Sequence, residues 1–94
     1  MDQPRDIPPE QSLIEYPTHF PIKVMGANVD GFVDAMVDVA KAFDANFDTA
    51  TVEQRPSKAG NYMGLTLMVH VTSREQLDEL YRTLTTHPMV KIVL

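Results

Sequence analysis

Apolar and polar residues alternate through Phe20-Pro-Ile-Lys-Val-Met25. This puts Phe20, Ile22 and Val24 on one face of a strand, with Lys23 and Met25 on the other. Gly26 ends the strand in a tight turn, and Asn28 is expected to cap the helix that follows, with Asp30 adding a carboxylate at its positive end. Phe32, Met36, Val39 and Phe43 recur at helical spacing, flanked by Val33, Val37 and Ala40, while Asp34, Asp38 and Lys41 lie off that stripe. Asp44-Ala-Asn46 breaks the helix. Phe47 to Arg55 alternates weakly and reads as an edge strand. After a loop, Pro56 to Asn61, the segment from Tyr62 to Val71 gives the strongest strand signal. Met63, Leu65, Leu67, Val69 and Val71 face one way, and Tyr62, Gly64, Thr66, Met68 and His70 the other. Thr72 or Ser73, with Glu75 or Gln76 three residues on, predicts a capping box. Leu77, Leu80, Tyr81 and Leu84 form the stripe of that second helix, and His87-Pro88 stops it. Met89 to Leu94 reads as the last strand, with Val90, Ile92 and Leu94 directed inward.

The order β-α-β-β-α-β is that of the ferredoxin-like α+β sandwich, two helices on one face of a four-stranded antiparallel sheet. The expected sheet order is 4-1-3-2. The helices leave the other sheet face uncovered, and the alternation puts Lys23, Tyr62, Thr66, Met68, His70, Lys91 and Val93 there. Residues 1–12 hold three prolines and four charges, and read as a disordered arm ahead of one domain over residues 13–94.

Thirteen acidic against eight basic residues give a net charge of -5, and the basic residues are scattered. That balance argues against a general nucleic-acid binder, which would show a basic patch. There is no cysteine. Disulfides, thiolate catalysis and Fe–S clusters are therefore excluded, and a reducing compartment fits. The N-terminal residues lack the apolar core of a secretory signal.

Leu13-Ile-Glu-Tyr-Pro-Thr-His-Phe20, Lys23-Val-Met-Gly26, Ser57-Lys-Ala-Gly-Asn-Tyr62 and Val90-Lys-Ile-Val-Leu94 together resemble the YbeD-like family of small uncharacterised bacterial proteins. A longer proline-rich N-terminus and Ala59 within the loop depart from its pattern. The resemblance implies a cytosolic ferredoxin-like domain, similar to the ACT-type domains that regulate metabolic enzymes by binding amino acids. It brings no catalytic activity and no cofactor.

The residues offer two candidate ligand regions. Ser57, Lys58, Gly60 and Asn61 combine hydroxyl, amide, backbone N–H and ammonium groups that can hold a phosphate or carboxylate, with Tyr62 beside them. The same residues also suit a hairpin connection. Gly26, at the entrance to the first helix, and Lys23, on the open face, complete the set. The loop lacks the glycine spacing of a P-loop. His19, His70 and His87 do not have zinc-ligand spacing, the first and last flanking prolines in connections, and no metal site is expected. The carboxylates are dispersed, so no acid–base pair is visible. An acylphosphatase of this fold would need an arginine between residues 24 and 31, which has none. These readings converge on a non-catalytic regulatory or adaptor domain that binds a protein partner or a small metabolite, with weak homodimerisation. A nucleic-acid module using the open sheet, with Lys23, Tyr62, His70 and Lys91 on it and Tyr62 near one end, is the alternative.

Overall fold

The structure is a computed structural model and describes residues 14–94. The expected disordered arm, residues 1–12, lies outside the described residues. Strand β1 is Thr18–Ala27, helix α1 Phe32–Phe43, strand β2 Glu53–Pro56, strand β3 Tyr62–Val71, helix α2 Arg74–Thr85 and strand β4 Val90–Val93. The antiparallel sheet has the order β2-β3-β1-β4, the 4-1-3-2 order expected of the ferredoxin-like element sequence, and the architecture is the ferredoxin-like α+β sandwich.

The axis of the sheet is β1 on β3, in unbroken register from Thr18↔Val71 to Ala27↔Tyr62. Ile22 and Val24 of β1 and Leu65, Leu67, Val69 and Val71 of β3 are buried on one face. They pack against Phe32, Met36, Val37 and Ala40 of α1 and Leu77, Leu80 and Leu84 of α2. Ile14 and Tyr16, ahead of β1, also pack on this core.

Four local expectations are corrected. Asn28 does not cap α1. The cap is Gly31, with φ of 88° and no side-chain bond, while the Asn28 amide reaches across to the carbonyl of Gly60. The strand expected from Phe47 to Arg55 shrinks to Glu53–Pro56, because Asp48 accepts from Ala50 N–H and winds Thr49–Thr51 into a 3₁₀ turn. His19 lies inside β1, not in a connection. In β4, simple alternation fails. Val24 faces Val93 and Met25 faces Ile92, but Gly26 faces Val90, so Lys91 is the extra residue of a bulge. Val90 and Val93 therefore both pack on the core, and Ile92 and Leu94 are exposed.

Two residues tie the layers together. A Cβ at Gly26 would lie 2.2 Å from the Met89 carbonyl oxygen and 2.6 Å from Cε1 of Phe32. Only glycine lets β1, the lead-in to β4 and α1 meet there. Asp44, just past α1, is buried; its two carboxylate oxygens accept from Asn46 N–H and His70 N–H, each at 3.0 Å. β2 covers β3 only as far as Thr66, so this carboxylate supplies the acceptor that no strand offers His70. At α2, Ser73 accepts from Gln76 N–H, and Gln76 accepts from Thr72 N–H and donates to the carbonyl of Phe43, joining the two helices.

Gly26→Ala should destabilise the domain by about 3 kcal/mol or more, since the clash is with backbone and a buried ring. Asp44→Ala should cost about 1–3 kcal/mol by orphaning the His70 N–H. Urea unfolding followed by circular dichroism measures both, and a change within about 0.5 kcal/mol at either position contradicts the corresponding account.

Candidate functional site

The uncovered face of the sheet is where the structure concentrates unspent chemistry. Its side chains form rows across the strands. One row runs Glu53, Thr66, Lys23; the next runs Arg55, Gly64, Met25, Ile92. Tyr62 stands beside Ala27, Met68 beside Pro21, and His70 beside His19. The two imidazole rings are 5.0 Å apart and tilted by 60°.

Gly64 leaves a gap in the middle of this surface. Tyr62 and Thr66 flank the gap along β3, Arg55 and Met25 flank it across the sheet, and Ile92 and Leu94 close the β4 side. The result is an open trough of about 360 Å³. Its floor is apolar and its rim carries Lys23, Arg55 and Glu53. Among the described residues neither Lys23 nor Arg55 forms an ion pair; the intrahelical pairs Arg74–Asp78 and Glu79–Arg82 both belong to α2. Of the large exposed apolar side chains Val29, Tyr62, Met68, Ile92 and Leu94, all but Val29 lie on this face.

The candidates named from the sequence separate into three groups. Lys23, Ser57 and Tyr62 line the trough. Lys58, Gly60 and Asn61 form the tip of the β2–β3 connection beyond it. There the polar groups serve the turn: Ser57 N–H donates to the Tyr62 carbonyl, Gly60 N–H donates to the Ser57 carbonyl, and the Ser57 hydroxyl accepts from Tyr62 N–H. Gly60, at φ 82°, supplies the left-handed step. Asn28 then docks the turn, donating its backbone N–H to the Asn61 carbonyl and its amide to the Gly60 carbonyl. Gly26 is buried beneath Phe32, on the helix side of the sheet, and does not reach the trough.

Arg55, Glu53, Gly64, Ile92 and Leu94 were missed. Gly64 was detectable, because a glycine inside the strongest strand marks a close approach or a missing side chain. Glu53 and Arg55 flank Gln54 on one face of β2, and the weak alternation from Phe47 to Arg55 does not single them out. Ile92 and Leu94 were assigned inward, and the bulge at Lys91 reverses them; it equally moves Val93 off the open face.

Among the described residues no three His, Asp or Glu side chains gather in metal-binding geometry. Burial pushes the Tyr81 phenol up from its ordinary pKa, but Tyr81 belongs to α2, on the opposite layer. No helix among the described residues is long and apolar enough to cross a membrane.

A family model described as a protein of unknown function, DUF493, matches residues 11–94. The chain belongs to the DUF493 family. It is 68% identical to a UPF0250 protein of Leptothrix cholodnii, over 96% of this chain and 99% of the relative. Identity to a UPF0250 protein of Bordetella parapertussis is 63%, over 95% and 98%. With a UPF0250 protein of Ralstonia nicotianae it is 60%, over 93% and 90%. The YbeD-like resemblance agrees with this membership. In this DUF493 protein the matched region takes in every element of the sheet, both helices and all the residues of the trough.

Unlike Gly26, Gly64 has room for a side chain: an added Cβ meets only the Arg55 carbonyl, at 3.4 Å. Gly64→Ala should therefore leave thermal stability unchanged or raise it by about 0.5–1 kcal/mol, through loss of unfolded-state freedom. A clear loss of stability in thermal unfolding would show that Gly64 is a packing requirement of the fold.

Proposed function

We propose that this protein is a non-catalytic regulatory or adaptor domain of the cytosol, engaging a small metabolite or a protein partner through the open face of its sheet. The observation that carries the reading is the Gly64 trough. It is a concave, apolar-floored site whose rim cations form no ion pair among the described residues, in a fold whose interior does not require that gap. Apolar surface gives such a site affinity, and a few convergent polar groups give it orientation. The dispersed carboxylates and the absence of an acid–base pair beside the trough favour binding over catalysis.

A second reading rests on one observation. Tyr62 lies exposed on a central strand, one row from Arg55 and two rows from Lys23, and an exposed aromatic near cations is what lets a base stack beside a phosphate. A single aromatic and a net charge of -5 place it behind the first.

The test is a thermal-shift screen of a metabolite library against the wild-type chain and Gly64→Val, with hits mapped by amide chemical shifts. A ligand of the native state raises apparent stability by RT ln(1 + [L]/Kd). Amides of residues 23–27 and 62–66 should move, and Gly64→Val should abolish the shift. Ligands that map to the helices overturn the assignment of the face. Reproducible turnover of a substrate, lost on a point change at the surface, overturns the non-catalytic reading. Salt-dependent binding of a single-stranded oligonucleotide, lost in Tyr62→Ala, promotes the second reading.

A further inference from the structure

The open face is complementary to itself. Consider two copies stacked sheet on sheet, related by a two-fold axis that runs along the strands between β1 and β3. Such an axis keeps each row in place and exchanges its two sides. Each β3 residue then meets the β1 residue of its own row on the other copy, and β2 meets β4.

The side chains in those rows fit. Tyr62, the bulkiest group on the face, meets Ala27 of the second copy. Met25 meets Gly64, so its thioether side chain enters the gap that the glycine leaves. In both central pairs a large residue meets a small one, as interdigitated sheets require. Arg55 lays its aliphatic stem over Ile92. Glu53 comes beside Lys23 of the second copy, once on each side of the axis. Within one chain Glu53 and Lys23 flank Thr66, roughly 10 Å apart across two strand spacings, too far to pair.

We infer that the partner of this face is a second copy of the chain, stacked about a two-fold axis along β1 and β3, which closes two open troughs into one chamber between the sheets. The inference rests on the reading of the open face as a binding surface and names its occupant. Charge favours this occupant. The chain carries -5 overall, yet this face presents Lys23, Arg55 and Glu53 together, so a second copy finds both signs there. The exposure of Tyr62, Met68, Ile92 and Leu94 on the same face supplies the apolar area. That area is modest. Strand spacing and rise give about 450 Å² per copy, against the ~800 Å² per partner of a stable interface. The dimer is therefore reversible and concentration-dependent.

Sedimentation velocity of the full chain over a concentration series tests this. The expected result is a weight-average mass rising from 10.6 kDa toward twice that value. Lys23→Glu and Glu53→Lys should each weaken association about tenfold or more, since each places like charges together, and added salt should weaken the wild-type dimer. The double variant, Lys23→Glu with Glu53→Lys, should restore association. Both side chains are exposed, so each variant is expected to keep wild-type circular dichroism. A chain that stays monomeric throughout, or a mass indifferent to the single swaps, overturns the inference. If it is monomeric yet Gly64→Val still abolishes a mapped metabolite shift, the binding face stands and only its closure by a second copy fails.

Discussion

The missing side chain at Gly26 is the constraint on which the rest of the arrangement depends. The Met89 carbonyl and the ring of Phe32 occupy the place where a Cβ would stand. Three elements are brought together there: the end of β1, the start of α1 and the lead into β4. With Met89 held against Gly26, β4 begins with Val90 opposite Gly26, and the strand accommodates Lys91 as a bulge before pairing Ile92 with Met25. The bulge turns Val93 to the core and Ile92 to the open face. One backbone contact on the buried side of the sheet thus decides which residues the other side displays.

The same economy governs the strand edges. β2 and β4 are four residues each, while β1 and β3 are ten, so more than half of each central strand has no strand paired on its outer side. Unpaired strand edges invite promiscuous pairing. On β3, the His70 N–H is taken by the buried Asp44 carboxylate. On β1, Leu94 N–H donates to the Lys23 carbonyl, and two residues earlier, where the next N–H would face the same edge, the chain has Pro21, which has none. Edge pairing is blunted at these two positions, while the open face keeps its apolar side chains exposed.

The fold was legible because its strongest signals are local and periodic. The alternation of Tyr62–Val71 and the stripes of Phe32, Met36 and Ala40 and of Leu77, Leu80 and Leu84 each report one buried face. The candidate site was legible only in part, since it depends on register. Lys23 and Tyr62 could be placed on the open face by parity alone. Ile92 and Leu94 could not, because one extra residue inverts parity and is invisible without knowing what β4 pairs with. Ser57, Gly60 and Asn61 drew attention through residue types shared by anion cradles and tight turns; only the bonds to Tyr62 and Asn28 show how the turn uses them. Asp44 looked like a helix breaker, and its partner lies 26 residues away.

Gly26 and Gly64 separate what the fold requires from what it does not. Both are strand glycines, and each carries the entropic penalty of glycine in a sheet. At Gly26 the penalty is forced, because backbone and a buried ring fill the Cβ position. At Gly64 the nearest atom to an added Cβ is the Arg55 carbonyl oxygen at 3.4 Å, so the position can carry a Cβ. Core packing therefore gives no reason for Gly64. What the missing side chain creates is a gap beside Met25 and Tyr62, ringed by charges of both signs. A sheet needs no such gap to fold, but a surface that must receive a side chain or a ligand does. That asymmetry is what supports the uncovered face as the proposed binding surface.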